Sequence, residues 1–257
     1  MLKQKIQNHE KLIGMYLHLN DVAIAKIAAI SGYDYVWVDL EHSCLSLENL
    51  LASVMILRAH GTAVIVRVPQ NDLTYTKKVL EMGVDGIIFP MVHSAEEAGE
   101  RIASTLYPPY GTRGFGPMNA TNYGLDSAAD YVAQTRDHLC RFIQIEHVDA
   151  VNDLDHIMDN EYIDGYIIGP NDLSGSINEL CRVFEENTTK LMQETIRRLK
   201  ERRKYVGIAS GGHAEEVIRH WHSFNVEMLT AGADFSFIQQ SALQNRIMLE
   251  QIHKQDR

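Results

Sequence analysis

The chain has 257 residues, of which 45% are hydrophobic and 23% are charged, and it carries a formal net charge of −10. This composition is typical of a globular protein with a sizeable core, and a length of about 250 residues suits one α/β barrel. The acidic balance argues against a nucleic-acid or anionic-membrane surface, because either partner needs a basic face to neutralise phosphates.

Neither a membrane span nor an export signal is predicted. No apolar stretch reaches the roughly 18 residues that a spanning helix needs. The N-terminal segment MLKQKIQNHEKL carries charges where a signal peptide needs an apolar core. The three cysteines, Cys44, Cys140 and Cys181, are odd in number and widely spaced, so they encode neither a disulfide framework nor a CxxC metal site. We therefore expect a reduced, soluble, cytoplasmic protein.

Short, nearly continuous apolar runs recur along the chain, and segments with helical spacing lie between them. The runs are rich in β-branched and aromatic residues, as parallel strands covered on both faces are. They are LIGMYLHL (12–19), YVWVDL (35–40), AVIVRV (63–68), GIIFPMV (86–92), RFIQIE (141–146), GYIIG (165–169), YVGIAS (205–210) and EMLTAG (227–232).

The predicted helices follow these runs. Asp21 and Ser46 are plausible N-caps, and Ser94 with Glu97 three residues later has the pattern of a capping box. The helical segments are 21–31, 46–61, 74–83, 94–105, 149–158, 184–204, 214–224 and 236–254.

This alternation indicates an α/β fold, namely a (β/α)8 TIM barrel. No Pro-, Gly- or Ser-rich linker divides the sequence, so residues 1–257 are predicted to form a single domain. An open doubly wound sheet is the alternative topology, but no GxGxxG turn follows the first strand. Because barrel active sites lie at the C-terminal ends of the strands, polar residues at those ends are the candidates for chemistry.

Glu146 and Asp172 follow neighbouring strands of the predicted barrel. Two carboxylates that converge at a barrel mouth repel each other unless a cation or a proton lies between them. Since no cysteine or histidine cluster accompanies them, we expect an all-oxygen site for Mg²⁺ or Mn²⁺, with Co²⁺ and Zn²⁺ as further candidates. Alternatively, Glu146 pairs with a barrel arginine and Asp172 caps the turn at 170–174.

Basic side chains lie at two other strand ends. Arg67 falls within an apolar run, and a buried guanidinium is costly unless it meets a fixed anion. It could hold an enolate oxygen or a carboxylate near the metal, or form a structural salt bridge with Asp39 or Asp85. His42 is the candidate general base, with Asp39 three residues upstream to fix its tautomer. A hydrogen-bonded loop histidine is the alternative for His42.

Other residues near the strand ends carry weaker signals. His18 ends the first predicted strand and is a possible pocket residue. Cys44 lies close to His42, but that spacing does not establish a thiol nucleophile. No lysine falls on a strand end, so a Schiff-base mechanism has no amine to use. The loop TLYPPYGTRGFGP (105–117) either shapes a pocket or subunit contact, or is a surface turn.

Six segments of the chain occur in the same order as in a known protein family. They are VDLEHS (38–43), VIVRVPQND (64–72), IIFPMVHSAEEA (87–98), YPPYGTRGFG (107–116), IQIE (143–146) and IGPNDLSGS (168–176). Together they resemble the HpcH/HpaI aldolases, metal-dependent pyruvate aldolases of the phosphoenolpyruvate/pyruvate barrel superfamily. Six segments in register make a more specific signal than any one short motif.

The resemblance implies a class II aldolase that cleaves a 4-hydroxy-2-oxo acid to pyruvate and an aldehyde. It implies that Glu146 and Asp172 hold the divalent metal. Gln144, Asn171 and Asp172 would contact the 2-oxo acid, the last two partly through backbone N–H groups. It further implies a homo-oligomer, a trimer or a hexamer, in which the last helix packs on a neighbouring subunit.

Catalytic roles are implied in the same way. Arg67 would stabilise the enolate, and His42 would accept the proton. Glu81 occupies the position where relatives often carry an aspartate that raises the basicity of this histidine, sometimes across a subunit interface. Asp39 is kept beside them as the carboxylate three residues before His42 in the sequence.

The chain departs from the family where the aldehyde would bind. INELCRVFEEN (177–187) replaces a Gly-rich, Pro-containing stretch, and the ends of the last two strands, SGG (210–212) and AGAD (231–234), also differ. Two alternatives follow. A citrate-lyase-β-like or malyl-CoA-type lyase would need a basic groove, for which the predicted helix 184–204 offers the only clustered arginines and lysines. A barrel that only binds a 2-oxo acid is the non-enzymatic alternative.

Overall fold

The computed structural model describes residues 1–69 and 73–255, and their eight strands form a closed parallel barrel. The strands pair in chain order, and β8 closes on β1. They are β1 (Leu12–Leu17), β2 (Tyr35–Asp39), β3 (Ala63–Arg67), β4 (Gly86–Phe89), β5 (Cys140–Ile145), β6 (Gly165–Ile168), β7 (Val206–Ala209) and β8 (Met228–Ala233). Each overlaps one of the predicted apolar runs, so the predicted barrel is confirmed.

Helices surround the barrel. They are α1 (Leu2–Gln7), α2 (Val22–Ile30), α3 (Leu47–Ala59), α4 (Leu73–Glu81), α5 (Ala95–Ala103), α6 (Ala128–His138), α7 (Val148–Asn152), α8 (Leu154–Ile157), α9 (Pro170–Ser176), α10 (Glu186–Glu201), α11 (Glu215–His222) and α12 (Asp234–Gln255). A short 3-10 segment, Asn119–Gly124, precedes α6. The predicted helix 149–158 is divided into α7 and α8. The helix α6 was not predicted because it buries only Thr135 and so has no apolar stripe.

The three predicted helix caps are confirmed. The Asp21 side chain accepts the Ala23 N–H, and the Ser46 hydroxyl accepts the Asn49 N–H. The Ser94 hydroxyl accepts the Glu97 N–H at 3.2 Å, while the Glu97 carboxylate accepts the His93 N–H at 2.9 Å. Each cap satisfies an amide that has no partner inside its helix, so these residues fix where the helices begin.

Alternate residues of each strand face opposite sides of the barrel wall. Tyr35, Trp37, Ile65 and Phe142 belong to the buried cluster inside the barrel, whereas the residues between them pack under the helices. The interior is filled by side chains, as it is in TIM barrels. A residue two positions beyond an inward-facing one also faces inward, at the C-terminal mouth.

The 105–117 segment is packed against the barrel. Arg113 is 4% exposed, and its guanidinium lies 4.5 Å from the centre of the Tyr107 ring. The segment is therefore more than a surface turn. Residues 70–72, which end the VIVRVPQND motif, lie outside the described part of the chain. Among the helices of the described residues, none combines the length and apolarity needed to cross a bilayer.

Candidate active site

A pocket of about 340 Å³ opens at the C-terminal ends of the strands. It is bordered by the ends of β1, β2, β3 and β5, by the start of α9 and by the start of α12. A larger cavity of about 660 Å³ lies at the opposite end of the barrel, beside α1 and α6. The smaller pocket is the candidate site, because the candidate catalytic and substrate-binding side chains meet there and barrel chemistry occurs at this face.

Arg67 lies at the centre of an acidic network in this pocket. Its Nε and Nη2 donate to the two oxygens of Asp39 at 3.0 and 2.5 Å, and its Nη1 lies 2.8 Å from the Glu41 carboxylate. Asp39 is completely buried. Burial alone would raise the pKa of Asp39, but the hydrogen bonds from His18 and Arg67 hold it below its ordinary value. Arg67 therefore forms the predicted salt bridge with Asp39 and also lines the pocket, so the two predicted roles do not exclude each other.

The predicted pairing of Asp39 with the His42 side chain is wrong. The Asp39 carboxylate contacts Arg67 and His18 instead, and His18 Nε2 lies 3.1 Å from Asp39 Oδ2. The His42 ring is 62% exposed at the pocket rim, with Nε2 3.6 Å from the Glu41 carboxylate. The reason is the alternation along β2, which turns Asp39 inward, whereas His42 lies on the loop beyond the strand.

Glu146 and Asp172 act on each other electrostatically. Glu146 is 1% exposed, and its burial together with the charges of Glu41 and Asp172 raises its pKa to about 8. Burial likewise raises the pKa of Glu41. Arg67 is the only arginine or lysine among the described residues that line the pocket. The carboxylates at this site therefore outnumber the basic side chains, and a divalent cation bound by carboxylates would offset the excess negative charge.

The backbone around Glu146 fixes the position of its carboxylate. A Cβ atom on Gly169 would lie 2.5 Å from Glu146 Oε2, so only glycine allows the carboxylate to lie this close to the chain. Met91 adopts a positive φ of 48°, which is uncommon for a residue with a side chain, and its N–H donates to Glu146 Oε1 at 2.7 Å. Neither contact was predicted, because both depend on loops brought together by barrel closure.

The predicted substrate-binding residues lie around the same pocket. Gln144 faces inward two positions after Phe142, and its amide donates to the Glu146 carboxylate. Asn171 and Asp172 lie in the first turn of α9, and the Leu173 N–H donates to the Gly169 carbonyl at 3.0 Å. The amides of Asn171 and Asp172 precede that bond, so they point out of the helix start without an intrahelical acceptor.

Glu81 is not brought to His42 within the chain. It ends α4, and its carboxylate lies 3.7 Å from the buried guanidinium of Arg113. Burial raises the pKa of Glu81, although Arg113 opposes the rise. Within the described residues no ion pair links Glu81 with His42, so a role for Glu81 beside that histidine requires a second subunit.

A separate cluster of possible metal ligands lies after β4 and β5. Nitrogen and oxygen atoms of His93, His147 and Asp149 lie within 4.8 Å of one another, and the two imidazole rings stack with centroids 4.3 Å apart. However, the His147 Nδ1 already accepts the Asp149 N–H as the cap of α7. The buried oxygen donors near Arg67 therefore remain the better candidate for the metal.

The basic residues of α10 do not form an open groove. Arg197 pairs with Glu194 and Glu201, while Arg198 and Arg202 pair with acidic residues of the α8 region. These ion pairs engage three of the arginines in the cluster that a CoA-binding lyase would need.

The raised pKa of Glu146 predicts that metal binding releases a proton. A pKa of about 8 leaves the carboxyl largely protonated at neutral pH, and a bound dication displaces that proton. The affinity for Mn²⁺ should therefore rise between about pH 6 and pH 8. Calorimetry in two buffers of different ionisation enthalpy counts the protons released. Glu146→Gln should abolish the proton release, whereas the control Glu161→Gln, at an exposed position, should not. A Mn²⁺ affinity that does not depend on pH would contradict the assignment of Glu146 as a metal ligand.

Comparison with known proteins agrees with this geometry. The model of the HpcH/HpaI aldolase/citrate lyase family matches residues 12–210. The 2-keto-3-deoxy-L-rhamnonate aldolase of Escherichia coli (strain K12) is 30% identical over 247 residues, which cover 96% of this chain and 91% of the relative. The hydroxypyruvate/pyruvate aldolase of Deinococcus radiodurans is 31% identical over 90% of this chain and 82% of its own.

Solved structures show the same fold and family. The HpcH/HpaI aldolase from Desulfitobacterium hafniense DCB-2 superposes with a TM-score of 0.89 at 27% identity, over 97% of this chain and 96% of that one. The citrate synthase SbnG superposes with a TM-score of 0.86 at 25% identity, over 98% of both chains. The curated relatives mark this chain as an aldolase, a carbon–carbon lyase. It belongs to the HpcH/HpaI aldolase/citrate lyase family.

Proposed function

We propose that this enzyme cleaves a 4-hydroxy-2-oxo acid to pyruvate and an aldehyde with the help of a divalent metal. The observation that carries the proposal is the meeting of Glu146, Asp172 and the Asp39-bound Arg67 at one barrel mouth. The names of the relatives support a 2-oxo acid, since one acts on 2-keto-3-deoxy-L-rhamnonate and another on hydroxypyruvate or pyruvate. Arginines of α10 are paired with acidic side chains, so they give the CoA-thioester alternative no support.

Glu146 and Asp172 would hold the metal, with Mg²⁺ or Mn²⁺ favoured by the all-oxygen donor set. When bound, such an ion acts as a Lewis acid toward the 2-oxo acid. The Gln144 amide and the first amides of α9 would orient the acid's oxygens, since they lie at the same side of the pocket. Gly169 allows the Glu146 carboxylate and the Gln144 amide to lie against the backbone at the start of α9.

Arg67 and His42 would carry the chemistry. In the cleavage direction a base removes the proton of the C4 hydroxyl, the C3–C4 bond breaks, and its electron pair becomes the enolate of pyruvate. Arg67 is fixed before the reaction by Asp39 and Glu41, so its positive charge faces the developing oxyanion without reorganisation. His42 is exposed at the rim, where it can accept the proton and pass it to solvent.

Exchange of the pyruvate methyl protons for deuterium tests the enolate half of this proposal without a known aldehyde. We expect proton NMR to show a loss of the methyl signal in D₂O that depends on Mg²⁺ or Mn²⁺ and stops on addition of EDTA. Exchange that is indifferent to EDTA would contradict the metal's role. Tight binding of pyruvate with no exchange would instead select the non-catalytic binding barrel.

The role of Arg67 predicts a large loss of activity in Arg67→Ala. Deleting one preorganised donor typically costs about 3 kcal/mol, or a hundredfold or more in rate. We expect the exchange rate to fall by at least this factor, while the exposed Arg219→Ala leaves it unchanged. If Arg67→Ala retained activity within about tenfold, or ~1.4 kcal/mol, the guanidinium would be structural only.

We also propose that the enzyme is a homo-oligomer, with α12 packed on a neighbouring subunit. From Ile238 onward α12 is exposed along its length, although it carries several large apolar residues. These are Ile238, Leu243, Ile247, Met248, Leu249 and Ile252. A contiguous apolar surface of this kind marks a protein contact, and a second copy of the chain supplies a matching one.

Light scattering after gel filtration tests this assembly. We expect a trimer or a hexamer, and we expect Leu243→Glu combined with Ile247→Glu to reduce it to smaller species, because the apolar contact would bury two charges. Gln244→Glu, on the same helix, should leave the assembly intact. A monomeric wild-type chain at micromolar concentration would contradict the proposal.

A further inference from the structure

His18 lies between two buried carboxylates at the pocket wall. It follows β1 directly and faces inward, two positions after Tyr16. Its Nε2 lies 3.1 Å from Asp39 Oδ2, and its Nδ1 lies 3.9 Å from Asp234 Oδ1. The His18 side chain is 17% exposed. Nε2 binds Asp39, and Nδ1 is buried without a hydrogen-bond partner among the described residues.

The backbone of His18 is held by the first turn of α12. Asp234 Oδ2 accepts the N–H groups of His18 and Leu19 at 3.0 and 2.8 Å. Asp234 Oδ1 accepts the Phe235 N–H at 2.8 Å, and the Phe235 ring meets the imidazole edge-on with centroids 5.3 Å apart. The imidazole is therefore fixed from two sides before any substrate arrives.

The hydrogen bond from His18 is one of several that the Asp39 carboxylate accepts. Oδ1 of Asp39 accepts Arg67 Nε and the Glu41 N–H, each at 3.0 Å. Oδ2 accepts Arg67 Nη2 and His18 Nε2. Without His18, one side of Oδ2 has no donor in a carboxylate that is wholly buried. The carboxylate would then be less restrained against turning about its Cβ–Cγ bond or against drawing in water, and either change moves the guanidinium bound to it.

We propose that His18 is a positioning residue: it fixes Asp39 and, through Asp39, the orientation of the Arg67 guanidinium. The inference rests on the proposed function, in which Arg67 faces the enolate oxygen. His18 is not the proposed proton acceptor, since its Nε2 is bound to Asp39 and its Nδ1 is buried. It acts on the enolate half of the reaction, so pyruvate exchange and aldol cleavage depend on it equally.

Two amide substitutions separate this role from simple packing. The Nε2 of glutamine can occupy the place of the imidazole Nε2, whereas asparagine is too short to reach Asp39. We expect His18→Asn and His18→Ala to lower kcat for methyl exchange by about tenfold or more, with KM for pyruvate changed less than about threefold. His18→Gln should retain kcat within about threefold. His213→Asn, which removes another histidine that contacts α12, should behave as the wild type.

A purely structural role would lower Tm in all three variants and leave kcat unchanged below Tm, and that result would overturn the proposal. So would His18→Asn with wild-type kcat, or His18→Gln as slow as His18→Ala. Should the wild type exchange no methyl protons, the proposed function fails, and crystal structures of His18→Asn and His18→Gln still decide the positioning role. We expect the two Asp39–Arg67 bonds to be broken or displaced only in His18→Asn. Asp39–Arg67 hydrogen bonds that are unchanged in His18→Asn would overturn the proposed positioning role.

Discussion

The mouth of the barrel holds more negative than positive charge, and the remaining features of the site compensate for this excess. Among the described residues that line the pocket, Arg67 is the one arginine or lysine that balances Asp39 and Glu41, while Glu146 and Asp172 also act on the same space. A guanidinium is suited to this position because it keeps its proton when buried and binds a carboxylate through two parallel bonds. Burial, together with the remaining negative charge, raises the pKa of Glu146, and the site favours a hard dication.

The barrel and much of its inward-facing chemistry follow from a period of two along the strands. Trp37, Ile65 and Phe142 are buried inside the barrel. Asp39, Arg67 and Gln144 each lie two positions further along, so the alternation alone turns them toward the mouth. The same rule places His18 beside them, two positions after Tyr16. The sequence therefore places polar residues at the strand ends, because strand periodicity is a local property, but it leaves their partners open: Arg67 is expected to meet either Asp39 or Asp85.

The contacts made by loops could not be predicted in this way. His42 lies beyond the end of β2, and no periodicity says whether it faces Asp39 or solvent. The Met91 amide reaches Glu146 only because its backbone takes a positive φ, which a methionine does not signal. Glu81 meets Arg113 through a long connection. Partners of this kind depend on closure of the barrel and on tertiary packing, which override local preference.

Asp234 belongs to two parts of the molecule at once. It begins α12, a helix of 22 residues that extends away from the barrel, and its carboxylate binds the chain at the end of β1. The first turn of α12 is therefore linked to the Arg67 guanidinium through His18 and Asp39. A shift of the first turn of α12 would move His18, which donates to Asp39. If α12 packs on a neighbouring subunit, as proposed, dissociation of the oligomer on dilution would also disturb the position of Arg67.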